Sequence, residues 1–181
     1  MHLEEIFKEI IDKKHNELNL GRDNKQIFAK IIDFEANAIG QIGETFIKQI
    51  TATLTNIKEE GTIHNEYDII TEKGVKIEIK TARKGSKNNS FQFNGINPKY
   101  NYNFIICLGI CPDKLMYRIF LKKDIIYQHK ERKNYIIQGD FKRQLVAMNP
   151  GNQVNYKLAV QLKDLLDVSN IVDEMKILIE Q

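Results

Sequence analysis

Apolar residues recur at helical spacing over residues 2–18, where Leu3, Ile6, Phe7, Ile10, Ile11 and Leu18 share one stripe. Gly21-Arg22-Asp23-Asn24 breaks that pattern, and Asp23 suits the N-cap of a second helix carrying Ile27, Phe28, Ile31, Ile32 and Phe34. A third helical stretch, about 36–51, presents Ile39, Ile42, Phe46, Ile47 and Ile50. The period then changes. Residues 53–57 read as a first strand, and 62–71 with 75–83 read as a hairpin. Phe104–Ile110 is a continuous apolar run, as expected of a strand buried on both faces, and Leu115–Leu121 returns as another. Beyond these lie a short helix at 122–129, a strand at 135–138, a loop around Asn149-Pro150-Gly151, and helices near 157–166 and 170–180.

This layout predicts a single domain over residues 1–181. It has a helical N-terminal part (1–51), a sheet core (about 52–125) and a C-terminal helical part (about 126–181). A net charge of +3 and a pI near 8.7 permit nucleic-acid binding without requiring it. No apolar run is long enough to span a membrane, and the N-terminus lacks the pattern of a secretory signal, so a cytoplasmic protein is expected. Cys107 and Cys111 lack partners for a zinc site and read as reduced core residues.

Candidate chemistry concentrates in residues 66–80, Glu-Tyr-Asp-Ile-Ile-Thr-Glu-Lys-Gly-Val-Lys-Ile-Glu-Ile-Lys. Glu72-Lys73-Gly74 suits a three-residue hairpin loop, which pairs Thr71 with Val75, Ile70 with Lys76 and Asp68 with Glu78. Opposed residues have Cβ atoms roughly 5 Å apart, and like charges so placed destabilise a strand pair. A divalent cation with a preference for oxygen would remove that penalty. The opposite face, Tyr67, Ile69, Val75, Ile77 and Ile79, is apolar and expected to be buried. A four-residue loop would put the two acids on opposite faces. Spacing alone is weak, because the acid-x-Lys pattern also occurs at Asp12, Asp23, Glu131, Asp140 and Glu174. Only Glu78-Ile79-Lys80 sits in a period-2 strand with an acid opposite. A solvated face of alternating charge is the competing reading.

Asp68, nine intervening residues and then Glu78-Ile79-Lys80 resemble the PD-(D/E)xK nuclease superfamily, which includes many type II restriction endonucleases. Tyr67 stands where the family's nominal proline would be. The resemblance implies an α/β fold of the α+β type, with a restriction-endonuclease-like core: a mixed β-sheet of four or more strands flanked by helices. It implies magnesium (Mg2+) as cofactor, hydrolysis of double-stranded DNA, and commonly a homodimer. The metal would be held by Asp68, Glu78 and the backbone carbonyl of Ile79, with Lys80 positioning a water or contacting the phosphate. An additional acid on a preceding helix is expected. Glu44 is the candidate, being off the apolar stripe and close to Gly40 and Gly43, whose helix cost suggests a close approach. Glu35 is a weaker competitor, and Glu66 reads as an exposed acid.

DNA contact is expected from Arg83, Lys84 and Lys87, which can neutralise phosphates. Asn88, Asn89, Gln92 and Asn94 carry amides able to pair with base edges. A second amide-rich cluster contains Asn149, Asn152, Gln153 and Asn155, and a further basic region contains Lys130, Arg132, Lys133, Lys142 and Arg143. Each could equally be a hydrophilic surface loop. The scattered His2, His15, His64 and His129 do not suit a ββα-metal nuclease, and no Walker-type loop occurs. A structure-selective junction nuclease and a non-catalytic DNA-binding module are the alternatives on this fold.

Overall fold

The computed structural model describes residues 2–18, 28–59, 66–85, 88–128, 134–139, 141–149 and 151–181. Helix α1 (Leu3–Glu17) buries Leu3, Phe7 and Ile11, one residue per turn, and α2 (Ala36–Leu54) buries Ile39, Ile42, Phe46, Ile47 and Ile50. The expected helix over 23–34 falls partly outside the described residues. Its described end is a short 3-10 turn, Ala29–Asp33, and Phe28 and Ile31 fill the space between α1 and α2.

The central sheet contains β1 (Ile69–Ile70), β2 (Lys76–Arg83), β4 (Phe104–Ile110), β5 (Leu115–Leu121) and β11 (Leu166–Asp167), in the order β1-β2-β4-β5-β11. Strands β2 and β4 run parallel and the other pairs antiparallel, so this is the mixed, helix-flanked sheet of an α+β fold. All seven residues of β4 are buried, as its unbroken apolar run requires. One face of the sheet, with Ile77, Ile79, Phe104, Ile106 and Leu108, packs on α1, α2 and the C-terminal helix α3 (Ile171–Glu180). Tyr117 donates to Glu174 Oε2 at 2.7 Å and ties α3 down. No described helix is long and apolar enough to cross a membrane.

The other face carries the main departure from expectation. Strands β3 (Ser90–Ile96), β9 (Val146–Asn149) and β10 (Asn152–Gln161) form a second sheet in the order β3-β10-β9. Phe91, Phe93, Tyr156, Leu158 and Val160 from this sheet share a core with Ala82, Ile105 and Cys107 of the central one. A third sheet joins β6 (Ile125–Gln128), β7 (Asn134–Ile137) and β8 (Arg143–Gln144).

The region expected to be helical beyond residue 126 is therefore mostly strand. The alternation Tyr156, Leu158, Val160, with Leu162 next, is a period of two, and it governs over the helical reading of 157–166. Likewise 122–129 is a 3-10 turn, Lys122–Asp124, followed by β6, because Ile125 and Ile126 pair with Ile137 and Ile136. The strand expected at 53–57 reduces to one bridge, Ile57 with Thr71, since α2 continues to Leu54. Of the expected strand 62–71, residues 62–65 lie outside the described residues and β1 covers only Ile69–Ile70.

Candidate active site

The hairpin adopts the three-residue loop. Thr71 N–H donates to Val75 O at 2.9 Å, Ile70 pairs with Lys76, and Ile69 pairs with Ile77. Gly74 has φ +84°, the left-handed conformation this loop needs and glycine supplies without steric cost. Asp68 N–H donates to Ile77 O at 3.0 Å, although Ile77 is already the partner of Ile69, so the ladder ends in a bulge there and the expected pairing of Asp68 with Glu78 does not form. Val75 is half-buried. Tyr67 is buried, but on the side opposite to Ile69: the chain bends at Asp68, and the ring joins Ile105 and Tyr102 beneath the second sheet.

β1 is so short that, among the described residues, most of the outer edge of β2 has no strand beside it. Asp68 takes that place: its Oδ2 accepts the Ile79 N–H at 2.7 Å. The N–H and C=O of one strand residue point to the same side, so the Ile79 carbonyl faces the same open edge. Glu78 projects from the other face, toward the second sheet, and is only 4% exposed. It is not part of a solvated strand face. Lys80 Nζ lies 2.5 Å from Glu78 Oε1.

Glu44 reaches the site from α2. A Cβ on Gly43 would lie 1.9 Å from Thr81 Oγ1, so glycine is what lets the helix sit this close to β2. Gly40 has open space and makes no such approach. Glu35, the weaker competitor, is the residue preceding α2.

Electrostatics bind these groups together. Burial raises the Glu78 carboxyl to about 7; Lys80 opposes this, while Asp68 and Glu44 add to it. Asp68 is raised by burial against the pull of the Ile79 N–H, Lys80 and Lys48. Glu44 is raised by burial and by Asp68, with Lys48 and Lys80 opposing. Burial lowers the Lys80 ammonium, but Glu78 and then Asp68 outweigh it and hold Lys80 above its ordinary value. Lys80 thus stays protonated, a hydrogen-bond donor and not a base. Lys48 is the residue the sequence reading missed. It lies one helical turn after Glu44 on α2, and that i, i+4 spacing was the available signal.

Among the described residues no group of three or more His, Cys, Asp and Glu side chains is gathered as a ready-made metal site. The donor chemistry nevertheless suits a hard divalent cation. Asp68 and the Ile79 carbonyl offer oxygens at the open edge and Glu78 one from the adjoining face, and three mutually destabilising carboxylates have Lys80 and Lys48 as their opposing cations. Glu78 would have to exchange its contact with Lys80 for the ion.

The expected DNA-contacting residues are dispersed. Arg83 Nη1 donates to Ile32 O at 2.8 Å and to Phe34 O at 3.4 Å, clamping the 3-10 turn to the end of β2. Lys84 Nζ donates to Asn89 Oδ1 at 3.5 Å, and Asn88 and Asn89 are exposed. Gln92 and Asn94 are exposed and hydrogen-bonded to each other at 3.0 Å. They lie on the outer face of β3, whose inner face, Phe91 and Phe93, is turned toward the central sheet. The second sheet thus separates them from Glu78. Lys87, Lys130, Arg132 and Lys133 lie outside the described residues, as do the side chains of Asn152 and Gln153. The expected loop at Asn149–Asn155 is the β9–β10 hairpin, with Asn149 opposite Asn152. Arg143 pairs with Asp164 Oδ2 at 2.9 Å. Cys107 and Cys111 are buried free thiols, and Cys107 is the register partner of Lys80.

No protein-family model and no curated protein matches the chain.

Proposed function

We propose that this chain is a magnesium-dependent endonuclease that hydrolyses phosphodiester bonds of double-stranded DNA at a specific sequence, as type II restriction enzymes do. The observation that carries the reading is the edge of β2, where Asp68 is held by the Ile79 N–H at 2.7 Å beside a buried Glu78. An edge with no ligand to hold has no use for neighbouring, desolvated carboxylates, which cost stability.

Asp68, Glu78 and the Ile79 carbonyl are the residues that would hold the cation. A bound Mg2+ supplies Lewis acidity at the scissile phosphate and a more acidic water. Lys80, protonated at Nζ, donates to the water or to a phosphate oxygen and orients it for in-line attack. Glu44 adds a further acceptor to the same space and Lys48 a cation beside it. Two copies acting as a homodimer would match the symmetry of a palindromic site.

The test is incubation of the purified protein with plasmid DNA and Mg2+. Discrete fragments support the reading. Cutting confined to branched DNA would favour a junction-resolving nuclease, and DNA binding without cleavage under every divalent metal would favour a non-catalytic DNA-binding module.

A further inference from the structure

Two lysines and an asparagine form one row across the central sheet. Ile77, Phe104 and Leu121 are register partners in β2, β4 and β5. The next row outward is Lys76, Asn103 and Lys122. Asn103 N–H donates to Lys76 O at 2.8 Å, Lys76 N–H donates to Asn103 Oδ1 at 2.8 Å, and Lys122 N–H donates to Asn103 O at 2.9 Å. With strands about 4.8 Å apart, the two lysine backbones stand about 10 Å from each other. By the alternation of the pleat, Lys76 shares the face of Glu78 and lies about 7 Å before it along β2.

Both ammonium groups are mounted on aromatic rings. Lys76 Nζ lies 4.8 Å from the centroid of Tyr67, the neighbour of Asp68, and Lys122 Nζ lies 4.5 Å from that of Tyr102. Lys122 also donates to the Pro98 carbonyl. Among the described residues neither lysine has a carboxylate within ion-pair distance, although Glu66 is close enough for its field to act on Lys122. The buried Tyr102 hydroxyl has no hydrogen-bond partner among the described residues. Asn103 is exposed and accepts the Lys76 N–H at its Oδ1, and its Nδ2 is a donor by chemistry. A ring under an ammonium holds it in place without neutralising it. The row therefore offers two half-buried positive charges and an amide donor, one pleat from the carboxylates.

We propose that the Lys76–Asn103–Lys122 row is a phosphate track, holding the sugar-phosphate backbone next to the phosphate that is cut at Asp68 and Glu78. The inference rests on the nuclease reading of that site. A polyanion brought against three carboxylates needs cations close by, and this row supplies them on the side of β2 from which the strand enters the sheet.

Binding of a short fluorescent DNA duplex, measured by anisotropy in EDTA over a range of KCl, tests it. Each phosphate contact adds about 0.9 to the slope of log affinity against log salt. Between about 50 and about 200 mM KCl the parent should therefore lose about twelvefold more affinity than the Lys76→Gln/Lys122→Gln variant, each lysine contributing about three- to fourfold. Lys76→Arg and Lys122→Arg should keep the parent slope, and Lys8→Gln, on α1 beyond α2, should leave it unchanged. A folded double variant with the parent's slope and affinity overturns this inference alone, since the parent would still bind and cut. A parent that binds no duplex in EDTA also overturns this inference, and one that in addition cuts no plasmid with Mg2+ overturns the nuclease reading as well. Loss of polyglutamate binding in the double variant, with duplex binding intact, would assign the row to an acidic protein partner and overturn the proposal.

Discussion

Asp68 and Ile79 are joined by a side-chain-to-backbone hydrogen bond of 2.7 Å that replaces a ladder bond where β1 has ended. One carboxylate oxygen, Oδ2, closes the strand edge. Structure and proposed chemistry thus meet in a single side chain, and the two roles can be separated by substitution.

Asp68→Asn keeps an oxygen for the Ile79 N–H and removes the charge. It should fold with little loss of stability while cleavage falls by about a hundredfold or more, equivalent to about 3 kcal/mol of transition-state stabilisation. Asp68→Ala should lose cleavage too, and a further 1–3 kcal/mol or so of stability, because a backbone donor loses its partner. Urea unfolding and a plasmid-cutting assay on both variants separate the roles. Equal stability of the two would show that the hydrogen bond contributes nothing.

Glu78 makes the metal-free protein sensitive to pH. Its pKa is raised from 4.5 to about 7 in the fold, so its favourable contribution is present below pH 4.5 and is lost as pH rises through about 7. Glu78→Gln should therefore gain stability relative to the parent between pH 5 and 8 in EDTA, by an amount on the order of 3 kcal/mol. Added Mg2+ should raise the parent's Tm more at pH 8 than at pH 5, and should do little for the variant. A stability difference that does not change with pH would refute the assignment.

Gly43 sets how close α2 stands to β2. Gly43→Ala puts a Cβ where Thr81 Oγ1 already lies, 1.9 Å away, so the helix must move outward at a cost of about 1–3 kcal/mol and carry Glu44 with it. Cleavage should drop along with Tm. Thr81→Ala removes the nearest atom and should restore part of both losses, which a double-mutant cycle measures as coupling. Gly40→Ala, with open space around it, should stabilise the helix by up to about 1 kcal/mol.

Arg83 was expected to contact DNA, yet its guanidinium is engaged with Ile32 O and Phe34 O. Arg83→Ala should lower stability by about 1 kcal/mol and leave the salt dependence of duplex binding unchanged. A reduced salt slope would return Arg83 to the DNA-contacting set.

The sequence by itself determined the parts governed by local rules. Gly74 selects the loop and the loop selects the register of Ile69 and Ile70, but the bend at Asp68 ends that register before it reaches Glu78. The spacing of apolar residues determined α1 and α2, and the unbroken runs determined β4 and β5. Gly43 makes the close approach that its helix cost suggested, whereas Gly40 carries the same signal and makes none.

Only the tertiary structure decided what lies against that hairpin. Tyr156, Leu158 and Val160 are strand residues because Ile96, Phe93 and Phe91 offer them antiparallel partners 60 or more positions earlier in the chain. A short apolar run cannot reveal that partner, since helix and strand bury it equally well. That second sheet buries Glu78, pushes its pKa up and turns Gln92 and Asn94 away from it. It also leaves Lys76 and Lys122 together at the end of the central sheet, although 46 positions separate them in sequence. Burial and charge at this site are properties of packing between distant segments, and no local pattern encodes them.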